Sequence, residues 1–175
     1  KMKSWSKSAL LVAALLMCGV AMAQTTVGYT NGTLNRNDIV RFGATEKQGM
    51  AVYIDAEKAA LLKGATVKSF LTYVSTTQIT SGTFFITKEL GGTPVYEQSF
   101  KPTSSRERLT EYEVTNAFVL DGEPFYFGHV VEVGTSYKPL SFDRSDNTEA
   151  GMSWAYENGE WIDVSGKGYG VPNIQ

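Results

Sequence analysis

Short β-rich segments separated by turn residues constrain the fold of this chain more than any other feature. Segments such as "ATVKSFLTYVS", "GTFFITKEL" and "FYFGHVVEV" are rich in β-branched and aromatic residues, which favour strands. Turn signals such as "GGTP", "DGEP" and "NG" recur at intervals of about 8 to 12 residues, a spacing typical of antiparallel sandwiches and barrels. The sequence therefore predicts an all-β fold, namely an antiparallel β-sandwich of jelly-roll type.

One segment of the predicted sandwich departs from the strand pattern. "DAEKAALLKG" places Asp55 at a helix N-cap position, follows it with good helix formers and ends at Gly64, so we expect one short helix here. The preceding "TTVGYTNGTLNRND" is rich in Gly, Thr and Asn. We interpret residues 24–48 as an irregular N-terminal segment or edge strand, and residues 49–175 as the sandwich domain.

The first residues have the pattern of a secretory signal peptide. A basic start, "KMKSWSK", precedes the apolar run "ALLVAALLMCGVAMA", which ends in an Ala-x-Ala site at Ala23. We predict that residues 1–23 are cleaved and that the protein is exported, to the cell surface or beyond it, with no membrane span after cleavage. The alternatives are a periplasmic protein or a lipoprotein anchored at Cys18, although Met17 before that cysteine disfavours lipidation.

Cysteine content and charge exclude several classes of function. Cys18 is the only cysteine, so the predicted mature chain has no disulfide, no thiol nucleophile and no cysteine-based zinc site. Removing Lys1, Lys3 and Lys7 changes the net charge from -2 to -5. A mildly acidic chain with scattered basic residues lacks the electrostatic footprint of a nucleic-acid binder. The remaining residues, about 150 of them, are enough for one domain with its own core.

The single histidine argues against histidine-dependent catalysis. His129 shares strand parity with Phe127 and Val131, so we expect a core histidine whose nitrogens are hydrogen-bonded. Because no second histidine exists, no histidine cluster can bind a metal. No G-x-S-x-G nucleophile motif accompanies His129. We therefore predict a protein that is not an enzyme, with a jelly-roll hydrolase that uses facing Asp and Glu residues as the open alternative.

The loop sequence "SFDRSDNTEAG" contains the candidate metal ligands. Asp143, Asp146 and Glu149 follow one another at three-residue steps, and carboxylate oxygens are the ligands that Ca²⁺ prefers. The spacing differs from the EF-hand series, and Arg144 lies among the acids. We retain Asp143 and Asp146 as candidate calcium ligands, beside the alternative of a solvated polar loop.

The stretch "GMSWAYENGEWIDV" predicts a hairpin with two different faces. Asn158-Gly159 is a strong signal for a two-residue turn, because both turn positions need positive φ. Such a turn pairs Tyr156 with Trp161 and places a small aliphatic set on the opposite face. If the aromatic face is exposed, it can bind a ligand; if both faces are buried, the aromatics are core. The candidate ligand-binding residues are Trp154, Tyr156, Trp161 and Asp163.

At this hairpin the sequence resembles a known group of proteins. "AGMSWAYENGEWIDVSG", with the final "NIQ", is similar to the tail of lectin-like β-sandwich modules in secreted bacterial proteins that accompany cysteine peptidases. Related sandwiches are the cleaved-adhesin modules of gingipains and hemagglutinins. "KAALLKGATVKSFLTYV" and "GTPVYEQSF" resemble other parts of these modules. "EPFYFGHVVEV" resembles a strand written around Y-x-G-Y, with His129 in place of the second aromatic.

The resemblance spans Gly49 to Gln175 and implies a non-catalytic module that binds glycan or a host or matrix protein. Some adhesin relatives bind calcium through loop carboxylates. We also expect a longer exported protein, since an apolar strand begins at "GVPNIQ" and such modules accompany further domains. A third hypothesis is a purely structural spacer, which predicts no aromatic patch on the surface.

Overall fold

The computed structural model describes residues 24–30, 39–74, 79–102, 109–134, 138–144 and 149–175. The predicted signal peptide, residues 1–23, lies outside the described residues. The elements in chain order are β1 (Ile39–Val40), β2 (Lys47–Ile54), α1 (Ala56–Leu61), β3 (Thr66–Thr72), β4 (Ile79–Thr87), β5 (Tyr96–Phe100), β6 (Thr110–Val119), β7 (Phe125–Val133), β8 (Leu140–Asp143), β9 (Ser153–Glu157), β10 (Glu160–Asp163) and β11 (Val171–Pro172).

The first layer is a six-stranded antiparallel sheet in the order β10-β9-β2-β7-β4-β5. Strand β7 is central, because it pairs with β2 along its whole length and with β4 on its other side. Its side chains alternate: Phe125, Phe127 and Val131 are buried, whereas Tyr126 and Val130 are only half-buried. One face of this sheet is therefore core, and the other is the outer face.

The second layer joins the remaining strands. One ladder has the order β1-β8-β11, and β3 pairs with β6. Reciprocal backbone hydrogen bonds between Leu71 and Gln175 link the two ladders, and Val74 forms a bridge to Leu140. The layer thus runs β1-β8-β11-β3-β6.

These two layers confirm the predicted all-β antiparallel sandwich. The chain passes from one layer to the other at most connections, an order compatible with the predicted jelly-roll type, which itself stays a prediction. The one helix within the described residues is α1, and the predicted N-cap is correct: the Asp55 carboxylate accepts a hydrogen bond from the Lys58 amide at 2.9 Å. None of the described helices is long and apolar enough to cross a membrane.

Aromatic rings hold the two layers together. Phe70 of β3 stacks on Phe84 of β4 with ring centroids 3.9 Å apart and the rings nearly parallel. Phe100 of β5 packs edge-on against Phe70 and also contacts Tyr112 of β6. Because the predicted mature chain has no disulfide, burial of these large side chains is the main source of cohesion between the sheets.

The edge of β6 is covered by a side chain of the opposite layer. Gln98 of β5 accepts a hydrogen bond from the Thr115 amide and donates one to the Glu113 carbonyl, both at 2.8 Å. The side-chain amide therefore bonds two backbone groups of β6 much as a neighbouring strand would.

His129 is a core residue, as predicted, but the expectation that its nitrogens are hydrogen-bonded was wrong. The side chain is fully buried, and neither ring nitrogen has a hydrogen-bond partner among the described residues. It pairs in register with Met50 and Phe84 and lies 5.9 Å from the ring of Phe100. Burial in these apolar surroundings lowers the pKa of His129 from 6.5 to about 3, because the charged imidazolium is desolvated.

This buried histidine predicts an acid-sensitive stability. In the folded state the imidazole stays neutral down to about pH 3, whereas in the unfolded chain it takes up a proton below pH 6.5. The contribution of His129 to the free energy of unfolding is therefore constant above pH 6.5 and falls by about 1.4 kcal/mol for each pH unit between pH 6.5 and about pH 3. Urea unfolding between about pH 7.5 and pH 5 should show a steeper decline for the wild type than for His129→Leu, by roughly 2 kcal/mol at pH 5.

His129→Gln is the matched control, since glutamine is polar but does not titrate. Its pH profile should follow that of His129→Leu. Parallel profiles for the wild type and both variants would contradict the assignment of this pH dependence to His129.

Candidate functional site

The closing hairpin has the predicted register. Tyr156 pairs with Trp161 and Trp154 pairs with Asp163 across the turn. Asn158 and Gly159 both have positive φ, 51° and 97°, as the two-residue turn requires. The hairpin is the β9-β10 edge of the six-stranded sheet, where β9 pairs with β2.

The two faces of the hairpin differ in burial. Ala155 and Val164 are almost completely buried, so the aliphatic face is part of the core. The opposite side chains are half-buried and lie on the outer face of the sheet; they are Trp154, Tyr156, Trp161 and Asp163. The structure thus brings all four predicted ligand-binding residues to one partly exposed surface.

The outer face is concave. Trp161 on β10 and Phe85 on β4 are separated by three intervening strands, and in a flat sheet their strands would lie about 19 Å apart. Their ring centroids are only 5.6 Å apart, in an edge-to-face arrangement. The sheet therefore curves so that the two side chains lean towards each other.

Small residues occupy the floor between these aromatics. Gly49, Ala51 and Gly128 lie on the strands between β9 and β4. A Cβ on Gly128 would come within 2.3 Å of the Met50 carbonyl oxygen, and a Cβ on Gly49 within 3.0 Å of the Tyr156 Cβ. Because these residues have no side chain or only a methyl group, the middle of the outer face is open, and the rings of Trp161 and Phe85 meet above it.

A cleft of about 300 Å³ opens on this concave face. One wall is Trp161 and Tyr156, and the other is the outward-facing side of β4 with the turn to β5. A volume of this size is at the lower end for small-molecule sites. The lining residues are Lys47, Ser81, Thr83, Phe85, Thr87, Gly91, Gly92, Pro94, Glu97, Val130, Glu132, Tyr156 and Trp161.

Polar groups surround the aromatic part of the cleft. Lys47 and Glu132 face each other across the β2-β7 ladder, and Ser81 donates a hydrogen bond to Glu132 Oε2 at 3.4 Å. Glu97 lies on β5 opposite Phe85. The cleft thus combines apolar ring faces with carboxylates, hydroxyls and one ammonium group.

Trp154 and Asp163 have their polar atoms occupied within the protein. Trp154 Nε1 donates a hydrogen bond to the Gly151 carbonyl at 2.7 Å. The Asp163 carboxylate accepts from the Ser165 amide at 2.8 Å and from the Gly151 amide at 2.9 Å. Burial raises the pKa of Asp163, but hydrogen bonds from Ser165 and Gly151 outweigh that effect and lower it. These bonds fix the loop that leads into β9.

A second aromatic cluster adjoins the cleft. Tyr126 lies 4.7 Å from Tyr53 and 6.0 Å from Trp154, measured between ring centroids. The Tyr29 hydroxyl donates to the Tyr53 carbonyl oxygen at 3.1 Å. Burial, together with the charges of Tyr53 and Asp163, raises the pKa of Tyr126, so its hydroxyl keeps its proton at neutral pH.

Of the two candidate calcium ligands, the structure describes only Asp143. Asp143 ends β8 and is buried, and its carboxylate lies 3.2 Å from the Thr30 hydroxyl, which also bonds Asn173. Asp146 lies outside the described residues. Within the described ranges, no three His, Cys, Asp or Glu side chains are close enough to hold a metal ion. Asp143 is therefore part of a buried polar network instead of a solvated loop, and calcium binding by Asp143 and Asp146 stays a prediction.

Sequence reasoning missed the half of the cleft that β4, β5 and β7 contribute. Phe84 and Phe85 are consecutive in a strand, so their side chains must point to opposite faces, and one of them had to be outward. That signal was present in "GTFFITKEL". The contact between Phe85 and Trp161 could not be predicted from the sequence, because it depends on the strand order and on the curvature of the sheet.

No protein-family model, curated protein or solved structure matches the chain. The resemblance to lectin-like and cleaved-adhesin modules therefore stays a prediction that depends on the quoted segments.

Asp163→Asn should destabilise the hairpin loop. Asparagine offers one side-chain acceptor where two amides now bond, so one amide loses its partner at a cost of about 1 kcal/mol. We expect the melting temperature to fall by roughly 3 °C in a thermal unfolding experiment. Glu160→Gln, at an exposed position of the same hairpin, is the control and should be neutral. An unchanged melting temperature for Asp163→Asn would contradict the stabilising role of the two hydrogen bonds to this carboxylate.

Gly128→Ala should destabilise the whole sheet. The added Cβ would collide with the backbone of Met50 and Ala51, and relieving such overpacking costs roughly 1 to 3 kcal/mol. Gly92→Ala is the milder comparison, since a Cβ there would lie 3.2 Å from the Glu89 carbonyl oxygen, a tight contact that a shift of a few tenths of an ångström relieves. Chemical denaturation of both variants checks the difference; equal stability would contradict the close approach of β2 and β7.

Proposed function

We propose that this chain is an exported, non-catalytic carbohydrate-binding module whose ligand lies in the concave cleft. One observation carries the proposal: half-buried Trp161, with Tyr156 and Phe85 packed edge-on against it, lies beside an open cleft that polar side chains also line. Export rests on the signal-peptide pattern of residues 1–23.

The chemistry of the cleft suits a sugar ring. Pyranose rings present C–H groups on their faces and hydroxyls around their edges, so aromatic faces and polar groups are needed together. Trp161 and Tyr156 supply the aromatic surface. Glu97, Glu132 and Thr83 supply acceptors and a donor within the same cleft. A protein ligand, the other partner implied by the resemblance, would suit a larger and flatter apolar surface.

The outer-face aromatics disfavour a purely structural spacer. A spacer has no need of Trp and Tyr rings on the outer face of its sheet, and a contiguous, partly exposed aromatic surface generally marks a binding site. The core is already supplied by the rings between the sheets. The aromatic patch therefore supports a binding role.

The arrangement of acids favours binding over hydrolysis. Glu97 and Glu132 both line the cleft, but they pair with Phe85 and Ser81 respectively, on opposite sides of β4. Four residues along β4 and two strand spacings separate their backbones by about 16 Å in a flat sheet. Glycosidases hold their two carboxyl groups about 5 to 9.5 Å apart, so the wide backbone separation of these two residues supports binding over hydrolysis.

Trp161→Ala should abolish or weaken glycan binding without unfolding the protein. Loss of one stacking surface costs about 1.4 kcal/mol or more, a Kd increase of at least tenfold. Binding of the mature chain to an array of neutral and charged glycans, followed by titration calorimetry on the glycans retained, gives the comparison.

Leu61→Ala is the control, since Leu61 is the most exposed of the large apolar residues on the described surface at 84% and lies on α1, away from the cleft. It should leave both affinity and melting temperature unchanged. If the wild type binds no glycan, or if Trp161→Ala binds as well as the wild type with an intact fold, carbohydrate binding in this cleft is wrong. Release of reducing sugar that Glu97→Gln abolishes would instead support the hydrolase.

A further inference from the structure

The aromatic surface continues past the cleft. Thr87, which lines one end of the cleft, is paired in register with Tyr126 of β7. The ring of Tyr126 contacts the rings of both Tyr53 on β2 and Trp154 on β9. The stacking surface at Trp161 and Tyr156 thus has a second aromatic surface beside it on the same face.

The cleft is also elongated. Its lining includes the outward residues of β4 from Ser81 to Thr87, and six residue steps along a strand span about 20 Å. Tyr126 lies beside the Thr87 end of this row. A ligand that fills the cleft and reaches Tyr126 is therefore a chain of several sugar rings, not one terminal sugar.

The charges near the site disfavour an anionic chain. Of the charged residues that the structure describes in the cleft lining, Glu97 and Glu132 are acidic and Lys47 is basic. Lys58, near the second aromatic cluster, is paired with the Asp55 carboxylate at 2.5 Å and lies over the Tyr29 ring. Among the described residues that line the cleft, an acidic polysaccharide would meet two carboxylates and one ammonium group, so repulsion would exceed attraction.

We propose that the concave face binds a stretch of several sugars of a neutral polysaccharide, with a second stacking subsite at Tyr126, Tyr53 and Trp154. This inference rests on the proposed carbohydrate-binding function and specifies its ligand class. The first subsite, at Trp161 and Tyr156, takes one sugar ring. The second subsite takes a ring further along the same chain, so that affinity grows with chain length.

The test uses cello-, xylo-, manno- and malto-oligosaccharides of two to six sugars, titrated calorimetrically against the mature chain. For the series that binds, we expect the affinity for six sugars to exceed that for two by at least tenfold. Tyr126→Ala should remove this gain and leave disaccharide binding unchanged. Trp161→Ala should weaken binding at every length. Tyr126→Phe keeps the ring and should keep the gain.

The outcomes separate this inference from the function on which it rests. Equal affinity for two and six sugars would overturn the second subsite while leaving carbohydrate binding intact. Binding confined to anionic glycans would overturn the neutral class. No binding to any glycan would remove both proposals. If Tyr126→Ala lowers the melting temperature, the same titrations are made with Tyr53→Ala. A folded variant that still binds six sugars at least tenfold more tightly than two would contradict the second subsite.

Discussion

The stack of Phe70 on Phe84 is the contact on which the two-layer structure depends. It joins β3 to β4 at 3.9 Å, and the rings of Phe100 and Tyr112 close around it. A chain without disulfides in its folded part must obtain its cohesion from burial of this kind. The next residue along β4, Phe85, points the opposite way and forms a wall of the cleft. The alternation of one strand therefore connects the core directly to the candidate site.

The concave face follows from where large and small side chains lie. Gly49, Ala51 and Gly128 leave the middle of the outer face open, while bulky rings stand on the flanking strands. Gly128 lets the backbones of β2 and β7 approach closely, and a Cβ at this position would require the backbone around Met50 to move. The same residues that let β2 and β7 approach closely thus also create the space that a ligand can occupy.

Much of the local structure was predictable. The Asn158-Gly159 turn determined the register of Tyr156 against Trp161, and the Asp55 cap and most strands followed from composition and turn residues. The partners of those strands were not predictable, because ladder order depends on contacts distant in sequence. For that reason Phe85, Glu97 and Glu132 could not be grouped with Trp161 in advance. That His129 has no hydrogen-bond partner in the part of the chain that the structure describes was also unpredictable, since strand parity indicates burial but not hydrogen bonding.

Gln98 has a consequence for association between molecules. A strand at the border of a sheet exposes backbone groups that can recruit a strand of another chain. Here the Gln98 amide already occupies the amide of Thr115 and the carbonyl of Glu113. An incoming strand would have to displace a side chain that makes two hydrogen bonds before it could add to β6 at this point. One glutamine thus opposes sheet extension at this border of the sandwich, on a different strand from those that line the concave face.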